Sequence, residues 1–311
     1  MSQNNIYGGQ AVIEGVMFAG KSVHVTAVRR KDNEISFLEV PRSSSKEWVR
    51  KLKKVPLLRG LVAIIESTAN GARHLNFSAE VFAEEEGEEV KQEEPSLFGK
   101  ISMLLGVAVV GVISFIFGKL IFTLVPAFVE HTLFNNHFEN QILHNLIEGL
   151  IKIVFLVGYI YIISLTPLIK RLFQYHGAEH KVISAYEAGV PLTVSNVQKF
   201  STLHYRCGSS FIVLTVLIGV IIYSFVPYDN LWDRMWQRIA LLPVVIGVSY
   251  EALRFTNVLR DTPVLKYLGY PGLWLQMLTT KQPTDEQVEV SIASFNRMRE
   301  LDSEITKPHV I

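Results

Sequence analysis

Ile153–Ile169 reads IVFLVGYIYIISLTPLI and carries no charged residue. Two comparable charge-free runs flank it, Ile101–Gly118 and Phe211–Tyr228, and a shorter one covers Ile239–Tyr250. A run of about 18 apolar residues at 1.5 Å rise matches the roughly 30 Å hydrocarbon core of a bilayer. These runs set the expected fold class: a polytopic α-helical membrane protein of about four spans with a small cytoplasmic α+β domain. Outside them the chain is ordinary. Its net charge of +1 supplies no basic field for nucleic acid, and one cysteine, Cys207, rules out an internal disulfide framework.

The spans divide the chain. Residues 1–82 form the expected cytoplasmic α+β domain and 83–100 an acidic linker, with seven Glu between Glu84 and Pro95. Residues 101–170 hold the first transmembrane pair and 171–210 a cytoplasmic segment rich in His and Glu. Residues 211–256 hold the second pair, and 257–311 a cytoplasmic tail. Three strands are expected, over Gln10–Phe18, Ser22–Arg29 and Glu34–Val40, with Lys31-Asp32-Asn33 as a turn. Lys46–Phe82 reads as helix, restarting near Pro56. The second span is expected over Leu146–Ile169. In the tail, Thr284 followed by Gln287 is a capping box opening an amphipathic helix expected to pack on the N-terminal domain or the membrane surface.

Basic residues orient the bundle. The 130–145 loop has no Lys or Arg, whereas 170–210 holds Lys170, Arg171, Lys181, Lys199 and Arg206. The positive-inside bias places that loop and both termini in the cytoplasm. Lys119 is expected to snorkel to the headgroups and Glu148 to pair locally with Lys152, four residues on.

The densest chemistry is His176-Gly177-Ala178-Glu179-His180. Histidines four apart on a helix share one face and can chelate one ion. In the order His-x-x-Glu-His the glutamate acts as the base that activates water. Gly177 weakens the helix this geometry requires. Cys207 precedes the third span, with His204 three residues earlier, and Glu251 lies inside the fourth, where an ionisable side chain is a functional candidate. The expected set is His176, His180 and Glu251 as metal ligands, Glu179 as catalytic base, and His204 or Cys207 as alternative ligands; the cofactor is Zn2+ or another divalent metal. Competing structural readings are a Glu251–Arg254 pair, histidines that cap span ends, and a buried thiol. Glu14 is expected to pair with Arg59.

Three strings carry a resemblance: Gly8-Gly9-Gln10-Ala11-Val12-Ile13-Glu14-Gly15-Val16-Met17, Tyr175-His176-Gly177-Ala178-Glu179-His180-Lys181, and Ser201 to Phe211 through His204-Tyr205-Arg206-Cys207. The chain resembles the bacterial YqhQ-like membrane family, of unknown function and labelled a metal-dependent enzyme. The resemblance runs from Gly8 to about Val290 and implies the bacterial cytoplasmic membrane as location. Two functions are expected: a metal-dependent hydrolase at the cytoplasmic face, or a non-catalytic scaffold that binds other membrane proteins. The lipid bilayer is the expected partner, nucleic acid is not, and Gly106, Gly111 and Gly118 would permit a homo-oligomer. A transporter is the weakest reading, since the spans look poor in polar groups.

Overall fold

A computed structural model describes residues 7–42, 47–85, 97–205, 207–259 and 262–306. Most of the acidic linker, residues 86–96, lies outside the described residues, as does Arg206. The described chain is mostly helical, with one small antiparallel sheet near its start.

Four strands, β1 (Gly8–Val12), β2 (Gly15–Ala19), β3 (Val23–Arg29) and β4 (Ile35–Pro41), form a meander in sequence order. The expected first strand over Gln10–Phe18 is therefore a hairpin. Val12 pairs with Gly15, and Glu14 turns the corner at φ 52°. Both faces of the sheet are covered, which follows from its alternation. Val16, Phe18, Val25 and Ala27 face one layer, whereas Val12, Thr26 and Val28 face the other. The first layer consists of α5 (Pro167–Glu187) and α10 (Asp285–Thr306). Tyr7, Phe18, Tyr186 and Phe295 stack edge-on or tilted there, with centroids 5.0 to 5.4 Å apart, geometry worth about 0.5–1.5 kcal/mol per pair beyond burial. The second layer is α2 (Leu58–Glu85). Its His74 Nδ1 lies 2.6 Å from Thr26 Oγ1, and Ser78 Oγ accepts from Ile13 N.

The division into an N-terminal domain, a His/Glu segment and a tail thus gives way to one module. Residues 7–42, α5 and α10 share a single core. The tail helix takes the first of its two expected positions, on the sheet. Its capping box forms: Thr284 N donates to Gln287 Oε1 and Gln287 N to Thr284 Oγ1.

Besides two short helices, α1 (Glu47–Leu52) and α6 (Val194–Val197), there is a bundle: α3 (Leu97–Phe134), α4 (Gln141–Ser164), α7 (Ser209–Ser224) and α8 (Leu231–Val258), with α9 (Tyr270–Thr279) against α7. By length and composition three helices can cross a membrane, over Ile116–Phe134, Gln141–Ser164 and Leu231–Val258. The 16 residues of α7 make a shorter apolar helix. The outward faces are apolar: Phe117, Leu150, Ile162 and Phe225 are all exposed, and Trp232 and Trp236 project near the start of α8. So much exposed hydrocarbon requires a non-aqueous cover. The second apolar run is cut short. Thr166 caps a new helix at Pro167, because proline lacks the N–H an uninterrupted helix would need there. The expected span to Ile169 therefore ends at Ser164.

The bundle is not poor in polar groups. Glu148 is buried and accepts from Arg234 (2.7 Å), Arg238 (2.8 Å) and, more loosely, Lys152 (3.5 Å). Arg234 also grips Glu130, whose other oxygen meets His144 Nδ1 at 2.5 Å. Asn145 Oδ1 accepts from Arg238, and the Arg238 guanidinium lies 3.9 Å from the Tyr223 ring centroid. The expected local pair of Glu148 and Lys152 is one edge of this network. Lys119 does not snorkel either: its Nζ donates to Thr215 Oγ1 on α7 at 2.9 Å.

Candidate metal centre

Helix α5 begins nine residues before His176, so the whole His-x-x-Glu-His string is helical and both imidazoles share a face. Their rings sit 4.5 Å apart. Gly177 is explained by packing rather than by a helix start. A Cβ there would lie 2.1 Å from the Lys281 carbonyl oxygen, where the chain leaving α9 crosses α5 and Lys281 N donates to Phe173 O.

Each histidine is held through Nδ1. His176 Nδ1 donates to Thr279 O at 2.9 Å, at the end of α9, and His180 Nδ1 donates to Thr202 O at 2.5 Å. Both Nε2 atoms are left as acceptors. Metal-ligating histidines are oriented this way, with the second nitrogen tied to a carbonyl. Cys207, two residues before α7, brings its thiol to the same place, with Sγ 3.2 Å from His176 Nε2. One ligand atom from each of His176, His180 and Cys207 lies within 4.8 Å of the others. Zinc with bonds of about 2.0–2.3 Å keeps its ligand atoms roughly 3.5 Å apart, so a small closure completes the fit. Ser209 N (3.4 Å) and Ser209 Oγ (3.1 Å) lie against the sulfur and favour a thiolate.

Glu179, His180 and Cys207 are buried. Burial pushes the Cys207 thiol above its ordinary range and holds His180 well below its usual pKa, helped by neighbouring His176. A neutral imidazole is the ligating form. Glu179 is buried beside them. Desolvation raises its carboxyl to about 7, against the lowering effects of His176 and of the Gly9 N–H. Strand β1 closes on this side chain: a Cβ at Gly9 would come 2.9 Å from Glu179 Cδ and 2.6 Å from Met17 O. A cavity of about 330 Å³ opens on the cluster, lined among others by Gly9, Phe173, Glu179, His204 and Ser209.

The remaining candidates separate. His204 lines the cavity, its ring 5.7 Å from that of His180, but its Nε2 is directed at Glu187, 3.7 Å away. Glu251 is elsewhere. Its carboxylate takes a bidentate grip from Arg59 and accepts from Leu57 N, fastening the start of α2 to α8. The partner is neither the histidine pair nor Arg254, because the chain folds α2 across the end of α8. Arg59 is therefore not free for Glu14, which takes Arg171 in a bidentate pair and the Tyr175 hydroxyl at 3.3 Å.

Two positioning residues escaped the sequence reading. Buried Lys181 donates to Gln198 O (2.7 Å) and Phe200 O (2.6 Å), fixing the loop that offers Thr202 O to His180. Buried Gln276 clamps the backbone of His204 through both ends of its amide, at 2.8 and 2.9 Å. A lysine next to the motif was the available signal, since a buried ammonium needs carbonyl acceptors.

Gly177→Ala is expected to push the 279–282 segment off α5 and withdraw Thr279 O from His176. The expected cost is about 1–3 kcal/mol, read as a lower Tm together with weaker metal retention. An unchanged Tm would mean that the crossing is loose.

The comparisons with known proteins agree with one another. A family model described as "Protein of unknown function (DUF1385)" matches residues 55–301. The chain is 55% identical over 299 residues, 96% of its own length and 93% of the relative's, to "Uncharacterized protein YqhQ" of Bacillus subtilis (strain 168). No solved structure matches. The chain therefore belongs to the DUF1385 family and is YqhQ-like over nearly its whole length.

Proposed function

We propose that this protein is a metal-dependent hydrolase embedded in the bacterial cytoplasmic membrane. His176, His180 and Cys207 would hold a divalent ion of the zinc class, and Glu179 would act as the base. The observation that carries the reading is the pair of imidazoles tied down at Nδ1, with His176 Nε2 turned to the Cys207 thiol and a ligand atom of His180 within 4.8 Å, beside a buried carboxylate and an open cavity. Three protein ligands and one open position are the pattern of catalytic rather than structural zinc. When bound, such an ion supplies Lewis-acid polarisation of a carbonyl or phosphoryl oxygen. The chain's own part is to exclude bulk water, orient the imidazoles and keep a carboxylate ready to take a proton from water.

A four-span topology is part of the same proposal. The sheet, α5 and α10 share one core, so an even number of crossings must lie between each pair of them. Helices α3 and α4 supply one pair, and α7 and α8 the other, which favours α7 as a short fourth crossing. The basic residues of 170–210 favour the cytoplasm for that core and both termini.

Protein purified in detergent without added metal is expected to carry about one equivalent of a divalent transition metal by elemental analysis. Glu179→Gln should keep that metal and lose turnover. Wild-type protein free of metal after metal-supplemented expression would remove the proposal. A Glu179→Gln protein with metal and full cellular function would favour the scaffold reading.

A further inference from the structure

A second cavity, about 820 Å³, lies on the other side of the Gly8-Gly9-Gln10 strand that walls the metal cluster. Its lining holds five permanent cations, Arg42, Lys53, Arg59, Arg73 and Arg254, against one carboxylate, Glu66. Glu66 neutralises Lys53 at 2.5 Å, and Glu251 engages Arg59. Arg42 and Arg73 are left around a concavity between β-sheet, α2 and α8 with no other carboxylate in its lining, and Arg254 joins them from α8, sharing the Glu251 carboxylate with Arg59. Guanidinium groups converging on a pocket suit a phosphate, which they can grip through paired N–H donors.

Position says which phosphate. Arg254 sits one turn before the end of α8, whose apolar surface needs a bilayer. Next to its lining residues along the chain, Leu57 and Leu58 before Arg59, Ile65 before Glu66 and Phe255 after Arg254 are exposed. A cationic hollow whose lining residues alternate along the chain with exposed apolar side chains matches an amphiphile with an anionic head. We propose that this cavity binds the phosphate headgroup of an anionic membrane lipid. The assignment rests on α8 ending at the bilayer surface and not on the metal reading.

The test uses the full chain in detergent micelles doped with phosphatidylglycerol or phosphatidylcholine, with retained lipid counted by native mass spectrometry. Wild-type protein should retain phosphatidylglycerol in preference. Arg73→Gln with Arg254→Gln should weaken that retention about 10- to 30-fold, since each cation near the surface contributes roughly one tenfold step or less. Both side chains are exposed, so the fold should hold, as an unchanged Tm in lipid-free detergent would verify. Arg73→Lys with Arg254→Lys should keep most of the binding. Metal content should be equal in all three proteins, which separates this result from the fate of the metal centre. Equal retention of phosphatidylglycerol by wild type and the Gln variant overturns the proposal. Competition by glycerol phosphate or inorganic phosphate at the same concentration as the lipid, abolished by the same variant, would keep a phosphate site and overturn its lipid source.

Discussion

His176→Ala combined with His180→Ala is expected to abolish stoichiometric metal binding, with at least a hundredfold loss of affinity. Loss of a single supporting contact in such a site already costs 10- to 100-fold, and the double variant removes two of three ligands. Cys207→Ser should behave as a graded version, weakening zinc more than harder ions, because thiolate is the soft member of the set. Glu251→Gln should leave the metal untouched, since its carboxylate holds Arg59. Elemental analysis of the four proteins, purified side by side, decides the matter. Metal that survives in the double variant, or departs with Glu251→Gln, would show the ligands to be wrongly assigned.

Glu148→Gln is expected to be the most destabilising single change in the bundle. Its carboxylate is the shared acceptor of Arg234, Arg238 and Lys152, all three buried or nearly so. Removing the charge leaves cations facing one another in low dielectric, and breaking a buried pair in this manner costs about 3–5 kcal/mol. Glu130 still pairs with Arg234, so Arg238 and Lys152 bear most of the loss. The readout is the thermal midpoint of folded protein in detergent, followed by size-exclusion chromatography. Arg238→Gln added to Glu148→Gln should recover part of the stability, and the double-mutant cycle measures the coupling. A Glu148→Gln protein within about 1 kcal/mol of wild type would mean that water or lipid headgroups already screen the network.

What could be read in the sequence was whatever is local. Charge-free runs gave α4 and α8, and the Thr284–Gln287 spacing gave the start of α10. The His-x-x-Glu-His string also carries its own geometry once it is helical. What could not be read was pairing across the chain. Glu251 looked like a ligand because an acid in an apolar run demands a partner, but that partner, Arg59, lies 192 residues away. Cys207 looked like an alternative, since nothing in a loop sequence says where its thiol points. The buried network was half visible. His144, Glu148 and Lys152 recur every fourth residue, as do Arg234 and Arg238, and two such stripes on apolar helices are a signal of helices facing each other. The Ile13-Glu14 hairpin was hidden because valines on both sides of the turn look like one continuous strand.

Ser294 bonds the carbonyl oxygens of Val16 and Val25, up to 278 positions away along the chain. A ribosome releases the first strands long before the helix that covers them exists. Until α10 emerges, one layer over the sheet is incomplete, and α5, which carries both histidines, lacks a neighbour. The layer that covers the sheet is therefore complete only once Asp285–Thr306 has been made. A truncation that removes residues from Asp285 onward is expected to leave Val16, Phe18 and Val25 without the helix that covers them, read as faster proteolysis of the sheet than in the full chain.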